Sequence, residues 1–169
     1  FLEQRRLQDY ALESRSFYLD LDCGEAKAAE GKGYATKGDA VVALREFCKQ
    51  LALPKPYVID SGRGLHVYWL LNTPVPSKEW VPVARAFKSA ALKLGLVIDP
   101  VVPSDSARIL RVPGTHNFKN KEAPLEVVVV SQGKNIDFEF MREAVKDYAS
   151  KPKPPLSLRP MDPISKSLM

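Results

Sequence analysis

The sequence predicts an α+β domain, a sheet of short strands with helices packed on it. Three patterns carry that expectation. Tyr18-Leu-Asp-Leu-Asp22 alternates apolar and acidic residues, the period of a half-buried strand. Two longer stretches, 36–51 and 77–94, read as helices with start and stop signals. Between them, Tyr57–Asp60 and Leu65–Leu71 are extended runs on either side of Ser61-Gly-Arg-Gly64, the pattern of a hairpin.

In chain order, residues 1–15 are expected to be helical, with Phe1, Leu2, Leu7, Tyr10, Ala11 and Leu12 as a loose apolar stripe. Ser16–Asp22 follows as a strand with Phe17, Leu19 and Leu21 on one face, so Asp20 and Asp22 point together to the other. Residues 24–35, rich in Gly, Ala, Lys and Glu, predict a flexible excursion. Thr36, with Asp39 three residues on, caps a helix whose apolar positions are Val41, Val42, Leu44, Phe47, Cys48 and Leu51, and which Pro54 and Pro56 end. Ser77 is the expected cap of the next helix and Gly95 its stop. A short strand, Leu96–Ile98, then delivers Asp99, and a Pro-marked loop leads to an extended run, Arg108–Val112, and the turn Pro113-Gly-Thr115. Leu125–Val130 is a β-branched run expected to be a buried strand, and Asp137 caps a last helix to Ala149. From Ser150 there are five prolines and no periodicity, which predicts a linker.

At 169 residues the chain fits one domain, residues 1–149, followed by the Pro-rich tail 150–169. Opening on Phe1 rather than Met, it is expected to be a piece of a longer protein. Its 45% apolar and 27% charged residues are those of an ordinary soluble domain, and no apolar run has the length of a membrane span. The expectation is a cytoplasmic, monomeric fragment with no membrane partner. Two cysteines, Cys23 and Cys48, exclude a disulfide framework and an all-cysteine zinc site. The net charge of +5 says little about nucleic acid, because residues 146–169 carry five Lys/Arg against two Asp/Glu and so hold +3 of it.

The chemistry-bearing residues fall at strand ends. Asp20 and Asp22 set two carboxylates side by side, a repulsion that a hard divalent cation relieves; a solvent-exposed strand face is the competing explanation. Asp99 could bring a third ligand, with Asp105 ranked behind it as a turn or cap residue. Two ions held about 3.5–4 Å apart between such carboxylates activate an attacking hydroxyl and stabilise a leaving pyrophosphate. Ser61-Gly-Arg63-Gly64-Leu-His66 offers open amides, a guanidinium and an imidazole in one turn, suited to phosphate oxygens. Arg108, Asn117 and Lys119 add donors within reach of a triphosphate; Arg111, three residues after Arg108, would face the opposite side of a regular strand. Tyr68 and Trp69 are expected to pack rather than stack on bases.

These residues resemble the archaeo-eukaryotic primase superfamily, most closely its small phage and plasmid primase-polymerases. The likeness runs over about residues 16–130. It lies in the apolar Leu19-Asp-Leu-Asp22 strand, the Ser61-Gly-Arg-Gly-Leu-His66 turn, and Ile98-Asp99 followed by Arg108-Ile-Leu-Arg-Val-Pro-Gly114 and Asn117-Phe-Lys119. The resemblance implies a modified RNA-recognition-type sheet, antiparallel or mixed, flanked by helices. It also implies a catalytic domain that makes and extends primers on a single-stranded DNA template from nucleoside triphosphates, in phage or plasmid replication. Asp20, Asp22 and Asp99 would hold two Mg2+ or Mn2+ ions, and Arg63, Gly64, His66, Arg108, Asn117 and Lys119 would bind the nucleotide. Members are often fused to a C-terminal helicase. Two departures stand out: Gly64 occupies the place of a serine two residues before the histidine, and the zinc module of several relatives has no counterpart.

Other classes fit less well. A catalytically inactive single-strand-binding or replication-initiator module would display aromatics where this sheet face carries acids. A rolling-circle nicking enzyme needs a paired-histidine metal motif, and the chain has only His66 and His116. Gly33 and Gly38 have P-loop spacing, but Asp39 stands where the lysine belongs.

Overall fold

The computed structural model describes residues 7–149. Four strands form one antiparallel sheet: β1 (Glu13–Asp22), β2 (Tyr57–Asp60), β3 (Gly64–Pro76) and β6 (Val128–Ser131), in the order β1-β3-β2-β6. A two-residue ribbon, β4 (His116–Asn117) with β5 (Leu125–Glu126), stands apart. Helices α2 (Lys37–Gln50), α3 (Ser77–Lys93) and α4 (Phe138–Val145) carry most of the remaining core, and a short α1 (Glu25–Ala29) follows β1.

One face of the sheet is apolar. Phe17, Leu19, Leu21, Val67 and Trp69 are all completely buried there, as alternation along paired strands requires. Phe17 stacks on Trp80 of α3 at 5.6 Å, and Trp69 meets Phe87 edge-on at 5.4 Å. Both buried indoles keep a hydrogen-bond partner: Trp69 Nε1 donates to the Pro54 carbonyl and Trp80 Nε1 to that of Ser16, each at 3.0 Å.

Several elements depart from the sequence reading. Residues 1–6 of the expected first helix lie outside the described residues, and 8–10 form only a single 3-10 turn before β1 begins at Glu13. The strand starts early because Glu13 and Ser14 find partners in Pro76 and Val75 of the long β3. The excursion 24–35 is ordered: it contains α1 and returns to bridge Tyr34 with Cys23. Thr36 and Asp39 do form a capping box, each side chain accepting from the other's amide at 3.1 Å. Ser77, in contrast, is not the cap; Pro76 takes that position and the Ser77 hydroxyl is buried without a partner among the described residues. Gly95 stops α3 with φ 79°, as expected.

The largest departure is the stretch 96–127. Neither Leu96–Ile98 nor Arg108–Val112 is a strand. The chain crosses the sheet's second face as irregular backbone, held by side chain and main chain at separate points. The Asp99 amide donates to the Asp20 carbonyl (2.9 Å), Tyr18 Oη to the Asp105 carbonyl (2.6 Å), and Asn117 Nδ2 to the Ser61 carbonyl (2.8 Å). The run 125–130 splits at buried Val127, and Val128, Val129 and Val130 are partly or largely exposed on an edge strand rather than buried. Asp137 occupies the N-cap position of α4 but spends its carboxylate on Asn72 Nδ2 at 2.6 Å. The Pro-rich tail lies outside the described residues.

Candidate functional site

Strand register builds the site. Tyr18 lies opposite Tyr68, Asp20 opposite His66, and Asp22 opposite Gly64. Directly opposed residues share a face, so Tyr18, Tyr68, Asp20, His66 and Asp22 lie opposite the apolar face; the buried Tyr18 ring also reaches Trp80 of α3, 5.7 Å away. Gly64 works as a packing residue: a side chain there would strike the Leu21 carbonyl and the Asp22 backbone, so its absence lets β3 lie against β1. Gly62 holds φ 90° in the turn, and a Cβ on it would come within 2.7 Å of Leu125 and 3.2 Å of Asn117. The β4–β5 ribbon therefore closes down on the 61–64 turn. Asn117, buried, locks that contact and also accepts the Lys119 amide at 3.1 Å.

Asp20 is the electrostatic centre. Burial raises its pKa to about 6, with the Asp22 and Asp99 carboxylates adding to the rise and Arg108 and Arg111 opposing it. His66 is shifted the other way, down to about 4, by burial and then by Arg111 and Arg108. Its Nε2 lies 3.9 Å from Asp20 Oδ1. At that distance, with a neutral imidazole, the contact is neither a hydrogen bond nor an ion pair at neutral pH. His66 Nδ1 and Arg108 Nε are both buried without a hydrogen-bond partner among the described residues. Beside them, burial and Asp20 push the Tyr68 hydroxyl up to about 12.

The three carboxylates share one field but not one finished cage. Asp22 pairs with Lys27 at 2.8 Å, and Asp99 lies 3.7 Å from Arg108. Among the described residues no three His, Cys, Asp or Glu side chains are grouped as ready metal ligands. The donor set nevertheless suits a hard cation: oxygen ligands only, one of them desolvated and short of positive charge.

The remaining expected residues divide. Arg63 is exposed and lines a shallow hollow with Thr36, Lys37 and Gly62, at the start of α2. Lys119 is exposed on the ribbon side. Arg111, which strand geometry set against Arg108, acts on the same two groups as Arg108, because that stretch is not a strand and need not alternate. Tyr68 belongs to the site face while its neighbour Trp69 is core. Lys27, which neutralises Asp22, had no motif to mark it. The ion pair of Lys37 with Asp60 (2.6 Å), which ties α2 to the turn, also joins residues too far apart for any local signal.

No family model matches the sequence. Over 121 residues, 69% of this chain, it is 35% identical to a replication protein of Clostridium perfringens, and it spans 27% of that protein's length. Among solved structures it is similar to the AEP domain of the cyanophage S-2L primase-polymerase, with a TM-score of 0.55 and 15% identity, covering 82% of this chain and 63% of that one. The fold is thus a mixed α+β arrangement, an antiparallel sheet with helices, of the kind found in that primase domain. No helix among the described residues is long and apolar enough to cross a membrane.

Proposed function

We propose that this chain is the catalytic domain of a template-directed nucleotidyltransferase, a primase or primase-polymerase of phage or plasmid replication. The observation that carries the reading is the charge pattern on one sheet face: Asp20, desolvated and pressed by two further carboxylates, beside Arg108, Arg111 and a neutral His66. Its fold likeness to a primase-polymerase domain and its sequence likeness to a replication protein support the same class.

In this reading Asp20, Asp22 and Asp99 would hold two Mg2+ or Mn2+ ions. Such ions, when bound, activate an attacking 3′ hydroxyl and offset the charge that develops at the α-phosphate and leaving pyrophosphate. Asp22, now paired with Lys27, and Asp99, beside Arg108, would hold the cations together with Asp20. Arg108 and Arg111 then face triphosphate oxygens as fixed cations. His66 donates through a ring N–H without carrying charge, and Asn117 holds the 61–64 turn and the 119 region in position. Arg63 and Lys119 serve the outer reach of the nucleotide or the single-stranded DNA template. A helicase is the expected partner.

A second reading, an inactive nucleic-acid-binding module, draws on one observation: two of the three carboxylates are already neutralised by Lys27 and Arg108. One experiment separates the two. Nucleotide incorporation on single-stranded template is expected in Mg2+ or Mn2+, with and without a primer, and Asp20→Asn combined with Asp22→Asn should abolish it while circular dichroism stays unchanged. The same cations should raise the thermal midpoint of the parent chain and not of the double variant. Undiminished synthesis by the double variant removes the mechanism; strand binding without incorporation and without a cation effect selects the second reading.

A further inference from the structure

We infer that the free edge of β6, with the groove between it and α2, is a docking site for an extended acidic protein segment that joins the sheet as an additional strand. Among the described residues β6 ends the sheet order, and none of them places a strand beside its outer amides and carbonyls. Its residues Val128, Val129 and Val130 are 37%, 50% and 57% exposed in succession, an apolar ridge showing on both faces of the strand. A bulge opposite Val58 and Ile59 interrupts the β2–β6 pairing, and Val130 lies in that interruption.

The groove beside the ridge has an apolar floor that includes Val41, Leu44 and Val130. Its charged lining residues are Arg45, Lys49 and Lys55, all cations. Ser131, also in the lining, has a hydroxyl with no hydrogen-bond partner among the described residues. The chemistry of this surface selects its occupant. Main-chain groups along the edge recognise a strand, the apolar floor takes every second side chain, and the cations favour carboxylates at the rim. A nucleic acid would answer the charge but not the valines, and the lining offers no aromatic ring for a base to stack on. The occupant is therefore a segment of another protein with apolar residues alternating with Asp or Glu. This surface involves none of the residues of the carboxylate site, so the inference stands apart from the proposed catalysis.

The test uses the full chain and a capped peptide of about eight residues alternating valine and glutamate, matched to one strand length. Fluorescence anisotropy should show binding that an alternating valine–lysine peptide lacks. Binding should weaken about tenfold or more with Lys49→Glu, and likewise with Val130→Asp, both at exposed positions that leave the core intact. Methylating alternate peptide nitrogens should abolish it, and hydrogen exchange at the 128–131 amides should slow only with the unmethylated acidic peptide. Equal binding of acidic and basic peptides, or no protection of those amides, overturns the inference. So do two other occupants. If the chain self-associates in sedimentation and Val130→Asp makes it monomeric, a second copy fills the groove; if deleting residues 150–169 is needed before the peptide binds, the chain's own tail fills it.

Discussion

β1 shows two faces of one strand doing opposite work. Phe17, Leu19 and Leu21 are entirely buried against helices, while on the other face Tyr18 is buried and bonds to Asp105 and the two carboxylates, Asp20 and Asp22, are partly covered. The first set stabilises the fold through packing. The second sets like charges together and desolvates one of them, which opposes folding. In the proposed reading, a strand that accepts that cost on alternate residues serves a ligand on one side and a core on the other. The core face supplies the rigidity that holds the carboxylates in place.

Three perturbations sharpen the contrast. The largest is expected on the core face. Trp69→Ala removes a fully buried indole and its bond to Pro54, and should cost about 3–5 kcal/mol in urea unfolding. A much smaller loss would mean that the helix-covered face is not the main source of stability.

The second perturbation separates two titrations on the site face. Asp20 titrates near 6 when folded against an ordinary 3.8, so the folded chain keeps its proton longer. Its contribution is therefore greatest below about pH 4 and lost as pH rises through 6. His66 titrates near 4 against an ordinary 6.5, so its neutral form is favoured by folding. Its contribution is full above pH 6.5 and lost as pH falls toward 4. Each is on the order of 2–3 kcal/mol, and within this window they oppose one another. Relative to the parent chain, Asp20→Asn should gain stability as pH rises from 4 to 6. His66→Gln should gain as pH falls over the same range. Parallel rather than crossing difference curves, from urea midpoints at several pH values, would show that burial does not govern both groups.

The smallest effect belongs to the exposed capping box. Thr36→Ala should cost about 1 kcal/mol by urea unfolding, since one side-chain bond to a helix amide is lost at a solvated terminus.

Much of this architecture was legible in local pattern. The alternation in β1 gave its faces, the Thr36/Asp39 pair marked the start of α2, and the Gly-rich turn placed the β2–β3 hairpin. Where an element depends on a distant partner, the pattern misled. Glu13 and Ser14 become strand because β3 runs on to Pro76, and Arg108–Val112 stays irregular, its ends bonded into turns with Asp105 and Thr115 rather than to a neighbouring strand. The valines at 128–130 carry the composition of a buried strand, yet among the described residues the sheet ends with them.

The candidate site divides along the same line. Sequence by itself determined that Asp20 and Asp22 share a face, because a strand has a period of two whatever it packs against. It also placed His66 beside a tight turn and marked Asp99 and Arg108 as polar residues in a Pro-rich stretch. Only the tertiary structure decided that His66 lies across from Asp20, that Lys27 and Arg108 hold the outer carboxylates, and that Arg111 joins Arg108. Side-chain alternation follows from backbone geometry and is written locally. Ion pairs and pKa values depend on distances and burial that exist only once remote segments have met.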